Sequence, residues 1–169
     1  MKQERTQYRE RSPWPGWVNA LFWGSILVSC YPLLAGWGTD SPFGRRAAIA
    51  GGIVCFAVAM QVLMGGLAVL VQESRVYIHM GWVPVIRKVV PFSEIVSLES
   101  VRYSPLREFG GWGIRGFGKK RAWTASGDQA VVLTLTSGTL LYVGSPHPLR
   151  LEERIRTLAA GRMAEAPED

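Results

Sequence analysis

The sequence predicts two membrane-spanning helices arranged as a hairpin, followed by a small β-rich domain that ends in one α-helix. Two long stretches carry no charged residue, one between Arg11 and Asp40 and the other between Arg46 and Glu73. After Arg75, apolar residues alternate with polar ones, which is typical of strands with one buried face. An amphipathic segment then closes the chain before a short polar tail.

The first span is predicted at residues 17–36 and the second at 47–71, after an N-terminal tail of residues 1–16. A hydrocarbon core about 30 Å thick is crossed by about 20 helical residues. The first apolar segment is too long for a signal peptide and has no small-residue cleavage site after it. Neither segment shows the polar face of a soluble helix. Three tryptophans, which favour membrane interfaces, flank the first span: Trp14, Trp17 and Trp37.

The orientation of the hairpin follows from its basic residues. The connecting loop holds only Arg45 and Arg46, whereas both flanks hold more. The flanking basic residues include Lys2, Arg5, Arg9, Arg11, Arg75, Arg87 and Lys88. Because basic residues are retained on the cytoplasmic side, we expect a multi-pass protein of the cell (inner) membrane with both termini in the cytoplasm.

Small residues recur every four positions in the second span, at Ala47, Gly51, Cys55 and Ala59. Such a row lets helix backbones approach closely. It predicts packing of the two spans on each other or, in a sharper interpretation, a dimerisation face. Gln61 is strongly polar in an apolar span, so it is expected to bond within the hairpin or, alternatively, to hold a ligand.

The segment 74–161 is predicted to form about seven short strands and a C-terminal helix. The predicted strands are 76–80, 83–90, 95–103, 113–115, 122–125, 131–136 and 139–143. Ser145 is the expected helix cap, since serine oxygens accept bonds from the first backbone N–H groups. The expected buried stripe of the helix consists of Leu149, Ile155 and Leu158, and residues 162–169 are expected to be disordered.

Three motifs in this segment resemble the pleckstrin-homology-like (PH-like) domains that occur in bacteria behind paired membrane helices. They are RKVVPFSEI at 87–95, the glycine-rich FGGWGIR at 109–115, and VVLTL with its following Gly138 and VGS at 143–145. The resemblance implies a β-barrel or sandwich and a membrane-associated context, but no assigned activity. PH domains that bind phosphoinositides place several basic residues around the first hairpin, where this chain has only Arg87 and Lys88. The resemblance therefore does not imply phosphoinositide binding.

The sequence offers little for catalysis. Residues 113–120 begin like a phosphate-binding G-x-x-x-x-G-K loop, but a serine or threonine must follow the first lysine, and Lys120 stands there. His79 and His147 have no cysteine or carboxylate at metal-ligand spacing. Ser93 and Glu94 are explained by a turn. We expect no catalytic residue, metal site or cofactor, and therefore no enzyme.

Charge indicates a contact surface instead. Residues 74–161 hold twelve Lys/Arg against six Asp/Glu, which accounts for the net charge of +6. The basic glycine-rich hairpin at 110–121 is expected to touch lipid or a partner, or to be a solvated hairpin with Trp112 and Trp123 in the core. The expected contact residues are Arg87, Lys88, Trp112, Arg115, Lys119, Lys120 and Arg121.

Two functions fit this surface. The leading hypothesis is a membrane-tethered, non-enzymatic module that binds a protein partner, such as another membrane protein or a second copy in a homodimer. The alternative is a sensor of anionic membrane lipids that uses the hairpin at 110–121. Charge alone would also suit nucleic acid, but no recognition motif accompanies it, so nucleic acid is not an expected partner.

Overall fold

The computed structural model describes residues 5–36 and 42–164. The helices are α1 Gly16–Ala35, α2 Phe43–Met64, α3 Pro105–Phe109 and α4 Pro148–Ala159. The strands are β1 Thr6–Ser12, β2 Leu67–Gln72, β3 Arg75–Met80, β4 Arg87–Pro91, β5 Ile95–Arg102, β6 Gly113–Phe117, β7 Lys120–Thr124, β8 Gln129–Leu135 and β9 Leu140–Gly144.

Helices α1 and α2 are each long and apolar enough to cross a membrane. They pack on each other where Cys30 is buried opposite Ala50. Near the other end of the pair, the Gln61 side-chain amide donates to Asn19 Oδ1 at 2.9 Å. The prediction that Gln61 bonds within the hairpin is therefore confirmed.

The row of small residues in α2 does not mediate this packing. Gly51, Cys55 and Ala59 are exposed, and a Cβ atom added at Gly51 would meet nothing within 4 Å. The buried small residues of α2 are Ala50 and Ala57, which lie on a neighbouring face. Three of the four residues of the row are therefore exposed, while Ala47 is half-buried, and the alternative interpretation as a dimerisation face stays a prediction.

The second helix is shorter than predicted. It ends at Met64 instead of Val71, and the apolar residues after Gly66 form β2. Gly66 has a φ of +123°, a conformation that ends helices and that side chains rarely adopt. An apolar run of this kind cannot be assigned to helix or strand by periodicity alone, which is why the prediction was wrong here.

The predicted N-terminal tail is also wrong, because residues 6–12 form a strand of the domain. Strand β1 pairs antiparallel with β2, with Ser12 opposite Leu67 and Glu10 opposite Val69. The side chains of Glu10 and Ser12 turn inward and are buried. The helical hairpin is thus inserted between two neighbouring strands of one sheet.

The strands form two open sheets. The first has the order β1-β2-β3-β4 and the second the order β5-β8-β9-β7-β6. Neighbouring strands are antiparallel apart from β7 and β9, which are parallel. The fold prediction is confirmed in its coarser part, two apolar helices followed by a β-rich domain with a C-terminal helix. The prediction left a barrel or a sandwich open; neither sheet closes on itself among the described strands, so a barrel is not shown.

The strand predictions hold with one main exception. The predicted strand at 83–90 begins only at Arg87, because residues 82–86 form the turn between β3 and β4. Pro84 lies in this turn and has no N–H group to donate to a ladder. Residues from both sheets and from α4 share one core; its largest fully buried side chains include Phe92, Ile78, Met80, Leu133 and Leu141.

Helix α4 covers the core beside β5 and β8. Its buried stripe is formed by Leu151, Ile155 and Ala159, whereas Leu149 is 75% exposed, so the predicted stripe was correct at Ile155 and wrong at Leu149. His147, not Ser145, occupies the N-cap position, and its side chain makes no capping hydrogen bond. The Ser145 hydroxyl instead donates to the Glu10 carboxylate.

Part of the predicted C-terminal tail is ordered against the domain. The backbone N–H of Ala164 donates to the carbonyl of Ile95 at 3.0 Å, and Met163 packs against the core. The rest of the predicted tail, residues 165–169, lies outside the described residues, as do the predicted interface residue Trp37 and residues up to 41.

Candidate functional site

The glycine-rich segment forms a hairpin at the free edge of the second sheet. Among the described strands, β6 pairs with β7 alone, with Ile114 opposite Trp123 and Phe117 opposite Lys120. Gly116 has a φ of +101°, and a Cβ atom there would lie 2.2 Å from the carbonyl oxygen of Lys120. A side chain at this position would therefore push β6 away from β7.

The predicted cations of this hairpin are not equivalent. The Lys120 ammonium lies 2.7 Å from Glu108 and 5.3 and 5.1 Å from the ring centres of Phe109 and Tyr142. The bond from Lys120, together with the Ser104 N–H, holds the pKa of the Glu108 carboxyl below its usual range. Lys120 thus braces α3 against the sheet.

The other three hairpin cations are exposed: Arg115, Lys119 and Arg121. Arg115 and Arg121 donate only to nearby backbone carbonyls, of Trp112 and Gly118 respectively, among the bonds of the described residues. These are the cations available to a partner.

Trp112 lies where the domain meets the first helix. Its indole N–H donates to the carbonyl of Gly127 at 2.8 Å. Its ring packs edge-on against Trp17, with ring centres 6.3 Å apart. Trp123 is buried in the core as the solvated-hairpin interpretation expected, but Trp112 is only half-buried.

A cavity of about 490 Å³ lies between the free edges of the two sheets, and its lining includes Lys88, Arg121, Glu94 and Ile114. Lys88 pairs with Ile78, whose side chain is in the core, so Lys88 faces the cavity. The neighbouring Arg87 points to the opposite face of its sheet. Lys88, Arg115 and Arg121 therefore all line one cavity, and Arg87 does not.

Phe117 stands at the rim of this cavity and is 96% exposed. Ile114, three residues earlier and on the opposite face of the strand, is 43% exposed. Both are large apolar side chains on the same edge strand. A strand with exposed apolar side chains and unpaired backbone groups is a template for pairing with another chain.

A buried network that the sequence analysis missed joins the N-terminal strand to the rest of the domain. The Glu10 carboxylate, 8% exposed, accepts a bond from Ser145 Oγ at 2.6 Å and from Tyr8 Oη at 2.7 Å. The backbone N–H of His147 lies 3.4 Å from the same carboxylate. Burial, followed by the bond to Glu10, raises the pKa of Tyr8 to about 12. Alternate residues of this strand, Tyr8, Glu10 and Ser12, face inward. This alternation could have predicted the strand, but the inward-facing residues are polar and so do not look like a buried face.

A second cavity of about 540 Å³ lies at the start of α4, with His147, Ser100 and Arg102 in its lining. Arg102 pairs with Asp128 at 3.6 Å, and both side chains are exposed. Within the described part of the chain, no three His, Cys, Asp or Glu side chains converge on a point where a metal ion would fit. The prediction that the chain lacks a catalytic site stays a prediction.

The fold and its surfaces define a chain with two helices long and apolar enough to span a membrane and an open two-sheet domain at one end. Comparison with protein-family models and with curated proteins finds no match to this sequence. Its function is therefore argued from the residues themselves.

Proposed function

We propose that this protein is a membrane-tethered, non-enzymatic module that binds an extended segment of a protein partner along β6. The observation that carries the proposal is the free edge of β6 with Phe117 almost fully exposed on it. An added strand would gain affinity from backbone hydrogen bonds and specificity from alternate side chains.

The two faces of β6 offer different contacts. Ile114 is paired with the core residue Trp123, so it faces the cavity, and a partner side chain would pack on it there. Phe117 lies on the outer face and would be covered by a second partner side chain. Soluble proteins usually protect such edges with a proline, an inward charge or a covering loop.

The charge of the site favours an acidic partner segment. Arg115, Lys119 and Arg121 are exposed around β6, and Lys88 lines the adjacent cavity. Complementary charge across an interface contributes mainly to the rate of association and to specificity. The proposed occupant is thus an extended segment with alternating apolar and acidic residues, from another membrane protein or from a second copy.

The two helices, each long and apolar enough to cross a membrane, support the proposed tether. Because β1 and β2 pair directly, the chain enters and leaves the hairpin at the same end, so the N-terminal strand and the domain share one side of the membrane. The basic flanks favour the cytoplasmic side of a bacterial inner membrane. The PH-like relationship remains part of this proposal, supported by the two-sheet domain with its C-terminal helix.

Photocrosslinking tests the proposal. A photoreactive residue in place of Phe117, in the full chain expressed in its membrane, should give a discrete protein adduct. The same residue in place of Leu149, which is 75% exposed on α4, is the matched control and should give none. The adduct at 117 should be lost when Ile114→Asp is added. Equal adducts at both positions, or none at 117, would contradict the proposal.

A second candidate is an anionic-lipid sensor formed by the hairpin at 110–121. The contact between Trp112 and Trp17 favours it, because it places the start of the hairpin beside the start of a candidate membrane helix. In this case the photoreactive residue at 117 crosslinks to lipid instead of protein. Replacing Lys119 and Arg121 with Gln should then reduce the lipid adduct in vesicles that contain phosphatidylglycerol. An unchanged yield of the lipid adduct would contradict the lipid-sensor alternative.

A further inference from the structure

The turn between β3 and β4 is joined to the end of α2 by backbone contacts. The N–H of Trp82 donates to the carbonyl of Val62, and the N–H of Gly81 donates to that of Gly66, each at 2.7 Å. A Cβ atom at Gly81, whose φ is +76°, would lie 2.2 Å from the carbonyl oxygen of Leu63. These contacts therefore fix the position of this turn relative to the end of α2.

The same turn exposes three large apolar side chains. Trp82 is 66% exposed, and Val83 and Val85 are exposed beside it. Exposed apolar patches of this kind mark contact surfaces. Since the turn abuts the apolar helix α2, its exposed side chains continue the apolar surface of that helix onto the domain.

The sheet face next to this turn is basic. By strand register, Arg11, Ala68, His79 and Arg87 form one row across all four strands of the first sheet. The Arg11 guanidinium lies 3.8 Å from the ring centre of Trp82. The next row along this face consists of Arg9, Leu70, Tyr77 and Val89.

No carboxylate lies in either of these two rows. The nearest one along β1 is Glu10, which points to the other face and into the buried network. The row that contains Arg11 is also the one next to the two helices, since Ser12 and Leu67 are the last and first residues of the strands that flank them.

We propose that residues 82–85 form a third membrane-contacting element, in which Trp82, Val83 and Val85 enter the headgroup boundary while Arg11 and Arg87 bind the phosphates of anionic lipids. Indole rings favour that boundary, and basic residues near an anionic leaflet attract it. The occupant is the bilayer because the surface is continuous with α2 and complementary in charge. The inference rests on the proposed spanning of the membrane by α1 and α2, and not on a partner at β6.

Accessibility of spin labels to oxygen and to an aqueous nickel chelate tests this inference. The full chain, with Cys30→Ala and Cys55→Ala, is reconstituted in phosphatidylcholine vesicles with and without phosphatidylglycerol. A single label replaces Val83 or Val85. The matched control label replaces Ser137, which is exposed in the turn between β8 and β9.

Labels at 83 and 85 should be shielded from nickel and reached by oxygen, and the label at 137 should show the reverse. With Arg11→Gln or Arg87→Gln, about fivefold more phosphatidylglycerol should be needed for the same shielding, the equivalent of about 1 kcal/mol per arginine. Arg102→Gln, on the other sheet, should change nothing.

Nickel accessibility at 83 and 85 equal to that at 137, in vesicles containing phosphatidylglycerol, would overturn the inference. So would shielding that does not depend on the two arginines. A label at Phe56, in the middle of α2, separates this outcome from a failure of the anchor: if 56 is also open to nickel, the helices do not span the membrane and the proposed tether fails as well.

Discussion

Removal of the Glu10 carboxylate should destabilise the whole domain although it lies near the N-terminus. Glu10 accepts bonds from the hydroxyls of Ser145 and Tyr8, at 2.6 and 2.7 Å. In Glu10→Ala both hydroxyls lose their acceptor. Hydrogen bonds to a charged group contribute about 1.5–3 kcal/mol each, and part of that gain is offset by the desolvation of the buried carboxylate.

The expected net loss for Glu10→Ala is about 2–4 kcal/mol of unfolding free energy. For a domain of about 100 residues, this lowers the melting temperature by at least about 8 °C. Glu10→Gln keeps one acceptor oxygen but loses the charge, so it should fall between the wild type and Glu10→Ala. The single-bond variants Ser145→Ala and Tyr8→Phe should each show a smaller loss.

Thermal unfolding of the purified full chain in detergent measures these losses, and hydrogen exchange reports whether β1 opens first. Glu99→Ala, which removes an exposed carboxylate on β5, is the matched control. A melting temperature for Glu10→Ala within the error of the control, with unchanged exchange in β1, would refute the structural role of the network.

Three further predictions concern the hairpin and the sheets. Gly116→Ala should cost about 1–3 kcal/mol of unfolding free energy and raise hydrogen exchange in β6, because it adds a contact with the Lys120 carbonyl to an unfavourable φ. Gly118→Ala, which has a positive φ of +61° but meets nothing within 4 Å, should cost less, since it adds the strained φ without the contact. Lys120→Met should cost less than about 1 kcal/mol by melting, since its pair with Glu108 is partly exposed, and should return the Glu108 pKa towards its usual range in a carboxyl titration followed by NMR. Burial, together with the charges of Arg9 and Arg11, lowers the pKa of His79, although the bond to the Met80 carbonyl acts in the opposite direction. The unfolding free energy should therefore fall as pH drops below about 6.5 and then level off. His79→Gln should flatten that decline, measured as melting temperature, while His147→Gln, an exposed control, should not.

The helices were predictable because their signal is a long run without charge, and both apolar stretches are long enough to cross a membrane. Their exact ends were not. The residues after Gly66 are as apolar as the helix before it, and only the backbone conformation at that glycine separates them. The strand at 83–90 was overextended for the related reason that turn residues Trp82, Val83 and Val85 are apolar.

The candidate site was predictable in composition but not in arrangement. Lys120 was predicted to be a contact residue, but its ammonium bonds to Glu108. Glu108 lies on the short helix α3, which no sequence pattern predicted. Arg87 and Lys88 are neighbours in sequence, but successive side chains of a strand point to opposite faces, so one faces the cavity and the other the basic outer face. The role of Glu10 depends on Ser145, far along the chain, and no local pattern reveals such a pair.

Because the helical hairpin lies between β1 and β2 in the chain, the two paired strands are synthesised at different times. Strand β1 is synthesised first, but its partner emerges only after residues 13–66, which include both helices. Closing a flexible loop of that length would cost about 3–4 kcal/mol, a cost that the paired helices offset by returning the chain to its starting point. In the proposed two-span topology, a chain whose second helix failed to cross would carry β2 to the other side of the membrane and leave β1 without a neighbour. In the proposed two-span topology, the sheet can be completed only after the chain has crossed the membrane twice, so the seven residues of β1 would act as a check on correct insertion.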